Sequence, residues 1–597
     1  MNNSLLIKRF SSSEKFIPEE WNKIATKNKL IKKETPKILI LSGNMKSINK
    51  DFEIYSESRL IFYVKNQDVF INLEEFNESF FTKNIVEEIL HGNLIPITDS
   101  SFCIYEETRD KLFLFSSCCG SSTIYFTKIN NDSIFVSHTD YLSKLKKYSI
   151  SNLGLSEIVR FGANYSSGTI FKELKRIPFS SVLISESNNC YLLGSYYPNV
   201  LSLKIKNIEV SDLLKKVISS YQINKYSILF SAGIDSTVIS EISNSLEDVA
   251  LYYMKHSADD KTDIKFIEEI EQKKRNVNTF TYERDFEEFV NTIRAYSLPT
   301  LDFSILPTLQ ILSKSSKFSK NIFDGLGGDS GFGFPEIKNI KTWNKLKNLN
   351  FINQISSKIL LKLFSYGFYI RNINYILFIL ARLSFSKYPE ISQFACNPYS
   401  FSQLKTTKKD WKNIEIEMID VIDSCLGKNK VSNEIRYVIA HNCLENVVPM
   451  AKTGQSILRE NIQVFYPFYH PLVISYALKY VYGVKKFFSK ELGFKPILKK
   501  FLLNKGLSFA FVTRQKVGFQ PPLKEILLDN KYKQSINKIL NEDSPYLDKY
   551  FSKEFLKVIK KKNYINKCKT IKELYLVWSY LSIKVWLRNF SITHTQS

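Results

Sequence analysis

The hydrophobic positions of this chain fall into two regimes. Up to about residue 205 they come in short β-branched or aromatic runs: Phe102 to Tyr105, Leu112 to Phe115, Thr123 to Phe126, Ser133 to Val136, Ser181 to Ser185 and Tyr191 to Tyr197. Turn-forming stretches such as Ile129-Asn130-Asn131-Asp132 separate them, so they read as strands. Asn152 to Gly162 has helical spacing. Residues 1–205 therefore read as a layered α+β unit.

From residue 206 the pattern alternates. Val210 to Gln222, Thr237 to Leu246, Asp263 to Lys274 and Ile305 to Lys317 read as helices, as does the stretch leading to Tyr296. Ser227 to Phe230, Val249 to Met254, Thr279 to Tyr282 and Asn321 to Phe323 read as buried strands. Strands alternating with helices predict an α/β unit, a parallel doubly wound sheet. Ligands of such sheets sit at the carboxyl ends of the strands. Beyond Pro335 the chain reads as helix-rich to its end, and the second unit is assigned residues 206–597.

Composition excludes wholesale disorder, at 44% hydrophobic and 24% charged residues. The net charge of +24 suits a nucleic acid, an anionic membrane surface or an acidic substrate. The lysines are spread along the chain, and Asn, Ile and Lys are all abundant, which points instead to a compositional bias. No nucleic-acid motif is present, so no nucleic-acid partner is expected. The eight cysteines show no framework and no Cys-x-x-Cys, which predicts reduced thiols and a cytoplasmic location. Phe364 to Phe385 is the most apolar stretch, but Arg371, Asn372, Asn374 and Arg382 interrupt it. It reads as a buried or amphipathic helix rather than a span.

The first candidate site is Ser231-Ala232-Gly233-Ile234-Asp235-Ser236, at the end of a predicted strand and the start of a helix. Small residues let backbone amides approach an anion, and the helix N-terminus and serine hydroxyls favour one. Asp235 would repel bare phosphate, so a cation such as Mg²⁺ must lie between them. Almost a hundred residues later, Asp324-Gly325-Leu326-Gly327-Gly328-Asp329 repeats the arrangement at another strand end. Two such turns could share one Mg²⁺-pyrophosphate, with the glycines folding tightly around it.

These motifs resemble those of the asparagine synthetase superfamily. Ser231 to Ser236 is similar to its pyrophosphate loop, usually SGGxDS, with Ala232 in place of the first Gly. Gly325 to Asp329 is similar to its second signature, and Thr513 to Phe519 to its R-x-K loop. Leu155 to Val182 resembles the segment joining its two domains, and Tyr466 to Tyr469 its Pro-Phe-Leu-Asp segment. The resemblance implies an N-terminal Ntn-type αββα domain, like class II glutamine amidotransferases, before a C-terminal ATP-pyrophosphatase domain. It implies an ATP- and Mg²⁺-dependent ligase that adenylates a carboxylate for attack by an amine. Asp235 and Asp329 would hold Mg²⁺. Ser231, Ala232, Gly233, Ile234 and Ser236, with Gly325, Gly327 and Gly328, would bind the nucleotide's phosphates. Lys516, beside Arg514, would stabilise developing charge.

Two departures narrow this expectation. Glutamine hydrolysis in the family needs a cysteine directly after the initiator Met, and residue 2 is Asn. Ser116-Ser117-Cys118-Cys119-Gly120 stands where the family has an Arg-Asp pair before a glycine. The N-terminal domain then reads as a scaffold without glutaminase activity, a loss shared by β-lactam and lasso-peptide macrolactam synthetases. Leu326 stands where relatives carry Glu or Tyr and cannot accept a proton. Either the amine arrives neutral or another group serves, for which Asp324 and Glu445 are candidates. Residues 336–390 interleave basic and aromatic side chains. They fit an acidic or peptide substrate, a membrane-associated helix, or a solvated helical face. The expected partner is a carboxylate substrate, such as a precursor peptide with its maturation protease. Amidation of a small carboxylate by ammonia and a non-catalytic nucleotide-binding protein are the alternatives.

Overall fold

The computed structural model describes most of residues 5–592. Residues 11–18, 65–68, 73–84, 338–390, 392–402, 446–450, 455–461, 515–522 and some shorter stretches lie outside the description. The apolar stretch 364–385 is therefore not described, nor is nearly all of 336–390. Among the described residues, no helix is long and apolar enough to cross a membrane.

Two six-stranded antiparallel sheets dominate the first part of the chain, beside a three-stranded one of Val69–Asn72, Ile61–Val64 and Leu94–Ile97. One of the two larger sheets runs in the order Lys175–Arg176, Tyr125–Ile129, Asp132–Val136, Leu5–Arg9, Ile38–Ser42, Ile31–Glu34. The other runs Asn189–Ser195, Ser181–Glu186, Lys111–Phe115, Phe102–Glu106, Phe52–Ser56, Asn44–Ser47. Side chains alternate along a strand, so Leu5, Ile7, Ile38 and Ile40 of the first sheet meet Cys103, Tyr105, Leu112 and Leu114 of the second in one buried cluster. The intervening Leu6, Leu39, Leu41, Phe102 and Ile104 belong to a separate, larger core. Burial on both faces is why these strands read as continuous apolar runs.

Five of the later strands form one parallel sheet, and Phe488–Ser489 pairs antiparallel with Gly493–Phe494 apart from it. The spatial order of the parallel sheet is Val277–Thr281, Val249–Lys255, Tyr226–Leu229, Asn321–Asp324, Gln463–Phe465. The chain thus builds outward from its first strand in one direction, then crosses back to the other side of it. Parallel strands are joined by right-handed crossovers as a rule, and a strand order of this kind puts a ligand crevice beside that first strand. Leu229 and Asp324 pair across this switch point. The fifth strand lies within the helix-rich region beyond Pro335.

The two parts are knitted together through residues 295–301. Gly162 O accepts from Leu301 N (2.7 Å), and Ala295 O lies 3.3 Å from His138 Nε2. On the other side, the helix Ile571–Leu587 sends the indoles of Trp578 and Trp586 to the carbonyls of Leu301 (2.8 Å) and Tyr296 (2.7 Å). The joining segment 155–182 is braced by Glu157, fully buried. It accepts from Tyr165 N, Ser166 N, Ser166 Oγ and Asn164 Nδ2 at 2.7–3.1 Å. Burial raises the Glu157 carboxyl above the usual carboxylate range, and these donors oppose that shift.

Candidate active site

The strand Tyr226–Leu229 passes through Phe230 into Ser231-Ala232-Gly233 before the nine-residue helix Ile234–Ile242 begins. Ala232 is fully buried in a left-handed conformation, φ 51°, which suits glycine better than any residue with a Cβ. The turn closes on itself. Ser231 Oγ accepts from Gly233 N (3.3 Å), Ser236 Oγ accepts from Ser231 N (3.2 Å), and Thr237 Oγ1 donates to Gly233 O (2.7 Å). Gly233 caps the helix without a side chain. The helix start therefore has no carboxylate or hydroxyl cap of its own, as an anion-binding terminus requires.

The second turn lies against the first. Asp324 Oδ1 accepts from Leu326 N (3.1 Å), which bends the chain directly after the strand. Gly327 adopts φ 95° and precedes the short helix Gly328–Phe332. A Cβ on Gly325 would come within 3.0 Å of Ser236 N. One on Gly328 would come within 2.3 Å of the Asp235 carboxylate, and one on Gly327 within 2.8 Å of the Tyr469 ring. These glycines let the two turns and the 466–469 segment interlock. Leu326 packs on the core and brings no titratable group.

The two metal candidates converge. Lys495 Nζ lies 2.7 and 2.6 Å from the two carboxylate oxygens of Asp235, and 2.6 Å from Asp329 Oδ1. Asp235 and Lys495 are buried, whereas the Asp329 side chain is 45% exposed. Lys495 is held by its backbone as well. It adopts φ 59° just before Pro496, the first residue of the helix Pro496–Asn504, which packs on Ile234–Ile242. The sequence carried no signal for it. It lies 260 residues from Asp235, in a chain with 83 lysines and arginines.

Arg514 works from behind the first turn. Its guanidinium donates to Ala232 O (2.6 Å) and to Asp263 Oδ1 (2.5 Å), and stacks over Phe266 at 4.2 Å. It positions the loop. Lys516 lies outside the described residues. Glu445 closes the helix Asn433–Glu445, but its side chain is not described.

The chain matches the asparagine synthase family over residues 220–588, well over half its length and inclusive of both turns, Lys495 and Arg514. It belongs to the asparagine synthase family. Among curated proteins, none matches the chain. The family is one of ATP-dependent amide-forming ligases, and the antiparallel and parallel sheets agree with its amidotransferase-like and ATP-pyrophosphatase units.

The residues present fit the family's Mg²⁺. Two carboxylates converge on one positively charged nitrogen, at the carboxyl ends of adjacent strands and beside an uncapped helix start. Among the described residues no cluster of three or more His, Cys, Asp or Glu could hold a metal. The remaining oxygen donors would therefore come from phosphate and water, as is usual for this ion.

Proposed function

We propose that this asparagine synthase family member activates a carboxylate with ATP and joins it to an amine without using glutamine. The observation that carries this reading is the meeting of Asp235 and Asp329 around one positive charge at the switch point of the sheet. The substrate carboxylate attacks the α-phosphorus and pyrophosphate leaves. The amine then attacks the acyl carbon, AMP leaves, and the amine's proton passes to solvent or a base.

The turn Ser231–Ser236 would hold the pyrophosphate by backbone N–H groups and two hydroxyls. Asp235 and Asp329 would hold Mg²⁺, which neutralises phosphate charge when bound. Lys495 and Lys516 would face the same charge. Arg514 keeps the loop in shape.

Several features support an amine from a source other than glutamine. Ser116-Ser117-Cys118-Cys119-Gly120 stands where glutamine-using relatives carry an Arg-Asp pair before a glycine. Cys103 and Cys118 are fully buried, and burial pushes the Cys103 thiol far above its usual range. An amine within the substrate then replaces ammonia. The first unit, up to about residue 205, would then serve as a scaffold. The finer reading is lasso-type closure of a precursor peptide, whose N-terminal amine attacks an adenylated Asp or Glu side chain. A maturation protease would expose that amine.

The test is ATP–pyrophosphate exchange across acidic peptides and free amino acids. Exchange with a peptide and none with aspartate fits macrolactam formation. Exchange with aspartate, followed by amide formation from ammonium, replaces it with amidation of a small carboxylate by ammonia. Exchange with no acid, or exchange that survives Asp235→Asn, rejects adenylation at this site.

A further inference from the structure

We propose that Lys495 is a built-in counter-ion that keeps a divalent cation out of the Asp235–Asp329 site until a polyphosphate arrives with it. The inference rests on the metal-pyrophosphate reading above and adds an order of binding to it.

The geometry carries the argument. One ammonium nitrogen bonds both Asp235 oxygens at 2.6–2.7 Å and Asp329 at 2.6 Å. They include both oxygens of Asp235, at least one of which any metal bridging this pair would have to use. Three features hold the lysine there. Its backbone is fixed by the φ of 59° and the following Pro496. Its N–H donates to Phe487 O (3.2 Å), and its side chain is only 7% exposed. Gly328, whose absent Cβ would sit 2.3 Å from the carboxylate, fixes Asp235 against the second turn.

A bare divalent cation would have to displace this ammonium and leave it buried without a partner, which is costly. A metal-polyphosphate complex removes that penalty, because the phosphate oxygens give the ammonium a new partner beside the uncapped start of the Ile234–Ile242 helix. The carboxylates are therefore satisfied at every stage, first by Lys495 and then by the metal.

The test is Mn²⁺ binding to the full chain followed by electron paramagnetic resonance, with and without inorganic pyrophosphate. Wild type should bind Mn²⁺ at least tenfold more tightly with pyrophosphate than without, beyond what Mn²⁺–pyrophosphate binding in solution explains. Lys495→Met should bind Mn²⁺ alone at least tenfold more tightly than wild type, and Asp235→Asn in that background should abolish the gain. Lys495→Gln, which keeps a polar head, should show the same direction if the Met variant folds poorly. Equal Mn²⁺ affinity of wild type and both lysine variants in the absence of pyrophosphate overturns the inference while leaving the site reading intact. No Mn²⁺ binding by wild type under either condition overturns both.

Discussion

The guanidinium of Arg514 donates to the carbonyl of Ala232, 282 residues earlier in the chain, at 2.6 Å. Ala232 occupies a left-handed conformation in the loop that precedes Asp235, so this bond ties a strained backbone to the C-terminal part of the protein. The other arm of the fork reaches Asp263 at 2.5 Å, and the plane stacks on Phe266.

Arg514→Lys keeps the charge and loses the fork, since an ammonium cannot make two divergent bonds and stack as well. Hydrogen bonds to charged groups are worth roughly 1.5–3 kcal/mol. The variant should lose about that much stability in urea unfolding, and its KM for ATP in pyrophosphate exchange should rise roughly tenfold or more. A variant with wild-type stability and wild-type KM would show that the loop does not depend on this clamp.

Most of the parallel sheet was legible because its central strands are buried on both faces. Ile228, Ile322 and Phe323 are fully buried, and each apolar run ends at a glycine-bearing turn with an acid. The fifth strand, Gln463–Phe465, has three residues, too few for any periodicity to mark it. The edge strands Ile31–Glu34 and Asn44–Ser47 carry mostly exposed or half-buried polar residues and gave no alternation to read. In the site, the turns at 231–236 and 324–329 were legible from local chemistry. Lys495 was not, because its role comes from a contact across 260 residues rather than from its neighbours.

The glycines of the second turn are separable by experiment. A Cβ on Gly328 would collide with the Asp235 side chain at 2.3 Å, whereas one on Gly331, in the same short helix, would meet only Ala477 Cβ at 3.9 Å. Gly328→Ala should therefore displace the carboxylate and lower pyrophosphate exchange by about a hundredfold or more, with an overpacking cost of roughly 1–3 kcal/mol. Gly331→Ala should keep exchange within about twofold and gain up to about 1 kcal/mol, through the lower entropy of the unfolded chain. Equal losses in the two variants would mean that the helix tolerates no Cβ anywhere, and that contact with Asp235 is not the cause.

His470 gives the fold a pH dependence of its own. Its Nδ1 accepts from Leu472 N (3.2 Å) and so caps the helix Pro471–Tyr476, which places the ring proton on Nε2. The ring is 1% exposed, with the rings of Phe70 and Tyr221 5.6 and 6.4 Å away and the positive charge of Lys216 acting on it. Burial, and secondarily Lys216, lower its pKa to about 3. In the unfolded chain an imidazole takes up its proton near pH 6.5. Between those values the unfolded state binds more protons than the folded one, so stability rises with pH across that window. The contribution is complete above about pH 6.5 and is lost as pH falls toward 3, by up to about 1.4 kcal/mol per unit. Urea unfolding at pH 7.5, 6.0 and 5.0 should show this slope. His470→Asn keeps a capping acceptor without a titrating ring and should flatten the acid side of the profile by about one proton. An unchanged slope in that variant would assign the acid sensitivity to other groups.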